Sequence, residues 1–169
     1  MLSDKYIYAP FWKRWFAMSI DGLIMFIPGF ILSLITSFIF GIGGWIVNWL
    51  YFALQEGSAD RATLGKKAMG IAVIQTNGES IEFGRATGRF FAKILSALSL
   101  VGYFLPFFNP KNKALHDMIA DTVVIRVAPA QGWAILLGGF LVGIEIVALI
   151  AGLIALSVLI TAIFASSSY

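Results

Sequence analysis

The sequence has no cysteine and a single histidine, His116. Without cysteine there is no disulfide, thiolate nucleophile, zinc–thiolate site or iron–sulfur cluster, and one histidine is too few for a metal site built from histidines. We therefore predict neither a metal site nor a cofactor. Charged residues are also scarce, at 12% of the chain, about half the proportion usual in soluble domains. This scarcity excludes most classes of soluble enzyme.

Long apolar runs take the place of the missing charges. Hydrophobic residues make up 59% of the chain, and no charged residue occurs from Gly22 to Leu54. A helix needs about 20 apolar residues to cross a bilayer, so the first run predicts a hairpin of two spans, about 11–32 and 35–54, connected at Ser33 to Ser37. The last run, 133–164, predicts an additional C-terminal transmembrane helix. We expect an α-helical integral membrane protein.

The segment 90–108 is harder to assign, because its apolar part is short and contains Gly102 and Pro106. If the segment re-enters on the side from which it came, all 12 lysines and arginines lie on one face of the membrane. If it spans as a third helix of the core, three of them cross. The positive-inside rule favours the re-entrant form and a cytoplasmic N-terminus.

Two β-prone runs flank Asn77-Gly78 within Ile71 to Phe83, and Asn-Gly is a strong signal for a tight hairpin turn. The run TVVIRV, from Thr122 to Val127, predicts a further strand that would pair with the exposed hairpin edge. We expect a small cytoplasmic β-hairpin, extended to a three-stranded patch.

Asp21 is the most informative polar residue, because it lies about half a bilayer deep if the first helix begins at Phe11. An intramembrane carboxylate is a functional candidate, although an ion-pair clamp is an equally good explanation. Arg14 shares its helix face but lies about 10 Å away, too far for a direct pair. The partners that we considered are Arg14 through water, Asn48, Arg85 and Arg89.

Glu145 is the only charge in the last run. Three alternatives remain open for it: a proton or cation site, an oligomer contact, or a protonated group with a hydrogen bond.

His116 stands beside Asp117, and Asp121 follows at a spacing of i+4 in a helix. Together they could bind a cation, but we favour a tether of Asp117 to nearby basic residues, because metal sites need more fixed ligands.

The basic residues between the apolar runs predict contact with anionic lipid headgroups or a partner protein. The candidates are Lys66, Lys67, Arg85 and Arg89. Because the 12 cations are scattered along the chain, we do not expect nucleic-acid binding.

Several motifs together resemble those of one family. They are an arginine before an intramembrane aspartate, TLGKKAMGIAVIQTNGESI, GRATGRFFAK and LHDMIADTVVI. From Tyr8 to about Val127 the chain resembles the RDD family of bacterial membrane proteins, named for one arginine and two aspartates, which match Arg14, Asp21 and Asp117. The wider pattern matches Thr63, Gly65, Lys66, Gly70, Gly78, Arg89, His116 and Thr122. The segment 133–164 looks like an addition to an RDD-like domain at 8–127.

The resemblance implies a multi-pass protein of the bacterial inner membrane with a role in transport, since cation/proton antiport has been proposed for a member. We predict an oligomeric transporter of a small solute or of a monovalent cation and proton, in which Asp21 is the titratable centre and Arg14 tunes its pKa. Asp117 and His116 would gather cations at the cytoplasmic mouth. The alternative is a membrane scaffold that binds a partner or anionic lipid. A membrane-embedded hydrolase is least favoured, because no nucleophile has a base beside it.

Overall fold

The computed structural model describes residues 6–35, 40–99 and 105–166. This part of the chain is mostly helical, with one small antiparallel sheet and a short 3₁₀ turn at Leu105–Phe107. In chain order the elements are α1 (Phe11–Ile35), α2 (Phe40–Glu56), α3 (Leu64–Ala68), β1 (Ile71–Gln75), α4 (Phe83–Leu98), α5 (Leu115–Ile119), β2 (Thr122–Arg126) and α6 (Gly132–Ser166).

Within the described ranges, two helices are long and apolar enough to cross a membrane, over Phe11–Ile31 and Gly132–Ala165. α1 begins directly after Pro10, because proline suits the position before or at the first helical turn. α6 packs along α1 and leaves most of its side chains exposed, as a helix in contact with lipid would. The two helices match the first and last of the predicted spans.

α2, at the place of the predicted second span, covers Phe40–Glu56. The predicted connection at Ser33 to Ser37 is only partly testable. Ser33 to Ile35 belong to α1, and positions 36–39 lie outside the described residues.

The predicted element at 90–108 has different bounds. α4 starts at Phe83, seven residues earlier, and ends at Leu98; the 3₁₀ turn follows, and 100–104 lie outside the described residues. The predicted bounds differ because they followed the apolar run alone, whereas α4 is amphipathic. It buries Ala86, Arg89 and Phe90 on one face, and Arg85, one turn before Arg89, is exposed.

β1 pairs with β2 in antiparallel register, with Val73 opposite Val124. The strand predicted at Thr122 to Val127 is therefore present and pairs with the first arm of the predicted hairpin. The second arm is not a strand. After the turn, where Gly78 has a φ of 93°, the chain pairs only through a bridge between Ile74 and Ser80.

The second arm of the hairpin does not form because the chain turns into the hydrophobic core directly after Ser80. Ile81 is buried in the hydrophobic core, and α4 begins two residues later. The outer edge of β2 pairs with the segment that precedes α1. Tyr8 bridges to Ile125, and the backbone N–H of Ala9 donates to the carbonyl of Val124 at 2.9 Å.

This pairing brings several helix ends to the same side of the protein. The lead-in to α1 lies on β2, and the N–H of Gln131, just before α6, donates to the carbonyl of Ala68 at 2.8 Å. Glu56, the last residue of α2, binds Lys66 of α3. The start of α1, the end of α2 and the start of α6 thus surround the segment that contains the sheet.

Candidate functional site

A cavity of about 440 Å³ is lined by residues of all six helices and of the 3₁₀ turn. Its size falls within the range of about 300–1,000 Å³ that is usual for small-molecule sites. The apolar part of its wall includes Phe11, Trp15, Met18, Phe52, Pro106, Phe107 and Leu149. The charged part is made of Arg14, Asp21, Lys66, Arg89 and Lys93, with His116 beside them.

Asp117 lies just behind this wall and is completely buried. Its carboxylate is paired with the guanidinium of Arg14 and lies 2.8 Å from Nη2 of Arg89, and it accepts a hydrogen bond of 2.9 Å from the N–H of Ala114. Burial alone would raise the pKa of Asp117, but the two guanidiniums hold the pKa well below its usual range. Asp117 is therefore an ionised tether to basic residues, the role that the sequence favoured.

Glu56 is the second buried carboxylate of the site. It is paired with Lys66, and its oxygens lie 3.5 Å from Nε of Arg89 and 3.4 Å from Nζ of Lys93. Arg89 thus bridges Glu56 and Asp117 and joins α2, α4 and α5. We call this group the ionic cluster, and its members are Arg14, Glu56, Lys66, Arg89, Lys93 and Asp117.

The ionic cluster contains more positive than negative charge. Its four cations all line the cavity, whereas it holds two carboxylates. Asp21, which also lines the cavity, is a third carboxylate, so one positive charge remains unmatched when Lys93 is protonated. Burial lowers the pKa of Lys93 to about 7; Glu56 opposes this shift, while Lys66 and Arg89 add to it.

His116 is held in a defined orientation by Ser96. The N–H of His116 donates to the Ser96 hydroxyl at 3.0 Å, and that hydroxyl donates to the carbonyl of Ala92 at 3.2 Å. The Ser96 hydroxyl has one proton, and it is donated to Ala92. Nδ1 of His116, 3.1 Å from Ser96 Oγ, must therefore carry a proton and donate it to that oxygen. Burial lowers the pKa of His116 well below its ordinary value, and Arg89 and Arg14 add to that shift against Asp117. The ring is neutral.

The cation site considered for His116, Asp117 and Asp121 is not assembled. Asp121 lies beyond the end of α5, with a φ of 51°, and it is exposed and bound by the hydroxyl of Thr76. The predicted i, i+4 alignment fails because the helix stops at Ile119. In the ranges that the structure describes, no three metal-ligating side chains come together.

Asp21 is buried and has none of the partners that we considered. Its carboxylate accepts hydrogen bonds from the hydroxyl of Tyr51 at 2.7 Å, the hydroxyl of Thr63 at 2.5 Å and the N–H of Gly65 at 2.8 Å. Arg14, expected to tune the pKa of Asp21, instead binds Asp117. All three donors to Asp21 are neutral groups.

The close approach of α3 to α1 at this point requires glycine. A Cβ at position 65 would lie 2.2 Å from the carbonyl oxygen of Ala17 and 2.9 Å from the Asp21 carboxyl group. Gly65 therefore allows the N-terminal turn of α3 to reach the carboxylate.

Glu145 receives a hydrogen bond of 2.9 Å from the indole N–H of Trp15. This contact joins α6 to α1. It is the hydrogen bond that one of the three alternatives for Glu145 requires, while a proton or cation site and an oligomer contact stay predictions.

The residues predicted to contact lipid or a partner divide into two pairs. Lys67 and Arg85 are exposed, and they bind Asp60 and the carbonyl of Ala120. Lys66 and Arg89 are buried in the ionic cluster, so neither lies on the exposed surface of the protein. Lys66 and Lys67 point in different directions because neighbouring residues of a helix lie about 100° apart.

The sequence analysis missed Glu56, Lys93 and Tyr51. Glu56 is the only charge of α2, and Lys93 follows Arg89 by four residues, on the same face of α4. These two signals could have found the ionic cluster. No comparable signal identifies Tyr51 as a donor to Asp21.

Comparison with known proteins agrees with the resemblance seen in the motifs. The model of the RDD family matches residues 8–121, which include Arg14, Asp21 and Asp117; α6 lies beyond this match. No solved structure is significantly similar to the chain.

Three relatives share most of their length with it. The uncharacterized protein YxaI of Bacillus subtilis is 31% identical, over 69% of this chain and 96% of the relative. The uncharacterized membrane protein YteJ of the same organism is 28% identical, over 70% of this chain and 81% of the relative. An uncharacterized protein of Haemophilus influenzae is 28% identical, over 68% and 75% of the two chains. Because the family match covers more than half of the chain and includes its buried ionic residues, this membrane protein belongs to the RDD family.

Proposed function

We propose that this protein binds an anionic solute in the cavity, as the substrate site of a small-solute transporter. The observation that carries the proposal is the charge around the cavity, where the ionic cluster and Asp21 together supply four basic side chains against three carboxylates. A charge in a water-poor cavity interacts strongly with an opposite charge. An anion would therefore neutralise the unmatched positive charge.

The residues of the wall suit this role. Arginine offers planar donors that match carboxylate or phosphate oxygens in pairs, and lysine offers a point charge. Lys66 and Lys93 also lie near the ring of Phe52, with Nζ 5.6 Å and 4.1 Å from its centroid. These cation–π contacts hold the ammonium groups at the cavity without neutralising them.

Exchange of a monovalent cation for a proton, with Asp21 as the titratable centre, is the rival mechanism. It is less well supported, because the carboxylate of Asp21 already accepts three hydrogen bonds. A cation entering the cavity would also meet Arg14, Lys66, Arg89 and Lys93. Asp21 fits a structural role better than a transport role.

We further propose three spans, α1, α2 and α6, in a bacterial inner membrane, with the N-terminus in the cytoplasm. α2 is about 26 Å long, close to the hydrocarbon thickness of about 30 Å. The shared side of the helix ends and the positive-inside rule support this topology. One chain forms the cavity, so the site itself does not need an oligomer, and an oligomer stays a prediction.

Binding by the purified protein in detergent micelles tests the proposal. Thermal unfolding is followed with sodium sulfate, sodium salts of small organic acids, and lithium, sodium and potassium chlorides, at constant ionic strength. We expect the multivalent anions to raise the unfolding temperature in a saturable way and the three alkali cations to behave alike. A saturable response to one alkali cation alone would contradict the proposal and favour exchange.

Two lysine variants make the test specific to the cavity. Lys93→Gln removes a partly exposed cation of the wall, and we expect sulfate affinity to fall about tenfold, the effect of losing one charge-assisted contact. Lys67→Gln is the matched control, because Lys67 binds Asp60 away from the cavity. Equal losses in both variants would show that sulfate binds by general electrostatics. Counterflow of the bound anion in proteoliposomes then tests transport itself.

A further inference from the structure

The cavity is open on its apolar side. Met18, Phe107 and Leu149 line it, yet these side chains are 45%, 62% and 63% exposed. Met18 and Leu149 belong to the two helices that are long and apolar enough to span a membrane. In a bilayer this side of the cavity therefore faces the acyl chains of lipids.

The wall of the same cavity also contains a buried cation with spare hydrogen-bonding capacity. Arg89 is 1% exposed and lines the cavity. Its Nη2 and Nε face Asp117 and Glu56, while Nη1 is buried and makes no hydrogen bond to any residue in the described parts of the chain. A buried donor without an acceptor costs free energy. An oxyanion at this position would supply the acceptor.

The route between the two sides follows one face of α1. Phe11, Trp15 and Met18 follow one another at spacings of four and three residues, which places them on the same face. Arg14 lies beside them and also lines the cavity. Phe107 closes over Phe11, with 4.7 Å between the ring centroids. One continuous cavity thus has a cationic end and an apolar end that opens to lipid.

We propose that the anion bound here is the phosphate headgroup of a phospholipid, a phosphate monoester of the phosphatidic acid type, which enters sideways from the bilayer. The phosphate lies on Arg89, Arg14 and Lys93, and the first part of an acyl chain passes between Met18, Phe107 and Leu149. A phosphate monoester has several acceptor oxygens and no positive group that the wall would repel. This inference rests on the proposed function, because it uses the same cavity.

Native mass spectrometry of the full-length protein in detergent tests the class of ligand. The probes are dioleoyl phosphatidic acid, dioleoyl phosphatidylcholine and glycerol 3-phosphate, which has the headgroup but no tail. We expect phosphatidic acid to bind at least about tenfold more tightly than the other two. If glycerol 3-phosphate binds as tightly as phosphatidic acid, the ligand is a soluble anion: this inference fails and the proposed function stands. If no phosphate compound binds, or if phosphatidylcholine binds as tightly as phosphatidic acid, this inference fails, and the measurements with sulfate and organic acids decide the proposed function separately.

Two variants of α6 test the sideways route without touching the ionic cluster. Leu149→Trp fills the apolar opening, and we expect phosphatidic acid affinity to fall about tenfold. Leu153→Trp is the matched control, since Leu153 is exposed on the same helix but does not line the cavity. If the two variants bind phosphatidic acid equally well, the lipid does not use this opening and the inference is overturned.

Discussion

The two buried aspartates of this protein are held in contrasting ways. Asp21 accepts hydrogen bonds from neutral groups of Tyr51, Thr63 and Gly65. Asp117 lies between the guanidiniums of Arg14 and Arg89. Both are equally inaccessible to solvent, so burial does not distinguish them.

The difference teaches which carboxylate shapes the electrostatics of the cavity. Neutral donors satisfy Asp21 and fix the distance between α1 and α3 without bringing a cation. At Asp117 the carboxylate assembles arginines from two helices, and one of them, Arg89, keeps a donor unused. The site around Asp21 is a structural joint, whereas the site around Asp117 also prepares a surface for a ligand.

Removal of Arg89 should have the largest effect. Arg89→Ala leaves Glu56 and Asp117 with less compensation in a buried place, and loss of one partner from a buried ion pair costs about 3–5 kcal/mol of unfolding free energy. Unfolding by denaturant in mixed micelles measures this loss. Arg85→Gln, at an exposed position one turn earlier in α4, should stay within about 0.5 kcal/mol of the wild type. Similar losses in the two variants would mean that the ionic cluster does not hold the helices together.

The two aspartates themselves should differ when each is replaced by asparagine. Asp117→Asn removes the charge that two guanidiniums need, so we expect a loss on the order of 3 kcal/mol. Asp21→Asn keeps an acceptor for Tyr51 and Gly65, and the Thr63 hydroxyl can rotate to accept from the amide, so the loss should be about 1 kcal/mol. The same unfolding measurement compares them. A larger loss at Asp21 would reverse the comparison.

A smaller effect is expected from pH. Because the pKa of Lys93 is lowered to about 7, the ammonium is charged below that pH and loses its charge as pH rises through it. The groups that face Lys93 are Glu56, Lys66, Arg89 and the ring of Phe52. Sulfate keeps its own charge over this range, so its affinity should be about tenfold higher at pH 6 than at pH 8.

Lys93→Arg serves as the control for this pH dependence. Arginine remains protonated throughout the range, so the affinity of the variant should stay nearly constant from pH 6 to pH 8. His116 does not contribute, because its pKa lies well below its ordinary value. An identical pH profile in wild type and Lys93→Arg would assign the titration to another group.

The long apolar runs were enough to predict α1 and α6, because the hydrophobic length that a bilayer requires is a local property of the sequence. The same holds for β2, where six residues indicate a strand on their own. The hairpin around Asn77-Gly78 was not predictable in this way. Its second arm is lost to the burial of Ile81, which only the packed core decides.

The site was predicted in part. The sequence singled out Arg14, Asp21 and Asp117 and favoured a tether for Asp117, but it paired none of them correctly. Arg14 and Asp117 lie 103 positions apart in the chain, and local periodicity carries no information about such a contact. The low content of charged residues excludes soluble enzymes but does not predict the sign of the charge around the cavity. That sign depends on tertiary contacts such as the one between Glu56 and Lys93.

The distance along the chain between Arg14 and Asp117 also has a consequence for biosynthesis. At about 5–20 residues per second, the ribosome needs roughly 5–20 s to add the residues between them. During this interval Asp117 is not available to the guanidinium of Arg14. Arg14 lies within the first turn of α1, near enough to the membrane surface for water and lipid headgroups to solvate it. The order of synthesis therefore makes the pairing of Arg14 with Asp117 a late event, which follows the synthesis of the residues of α2 and α3 that bind Asp21 of α1.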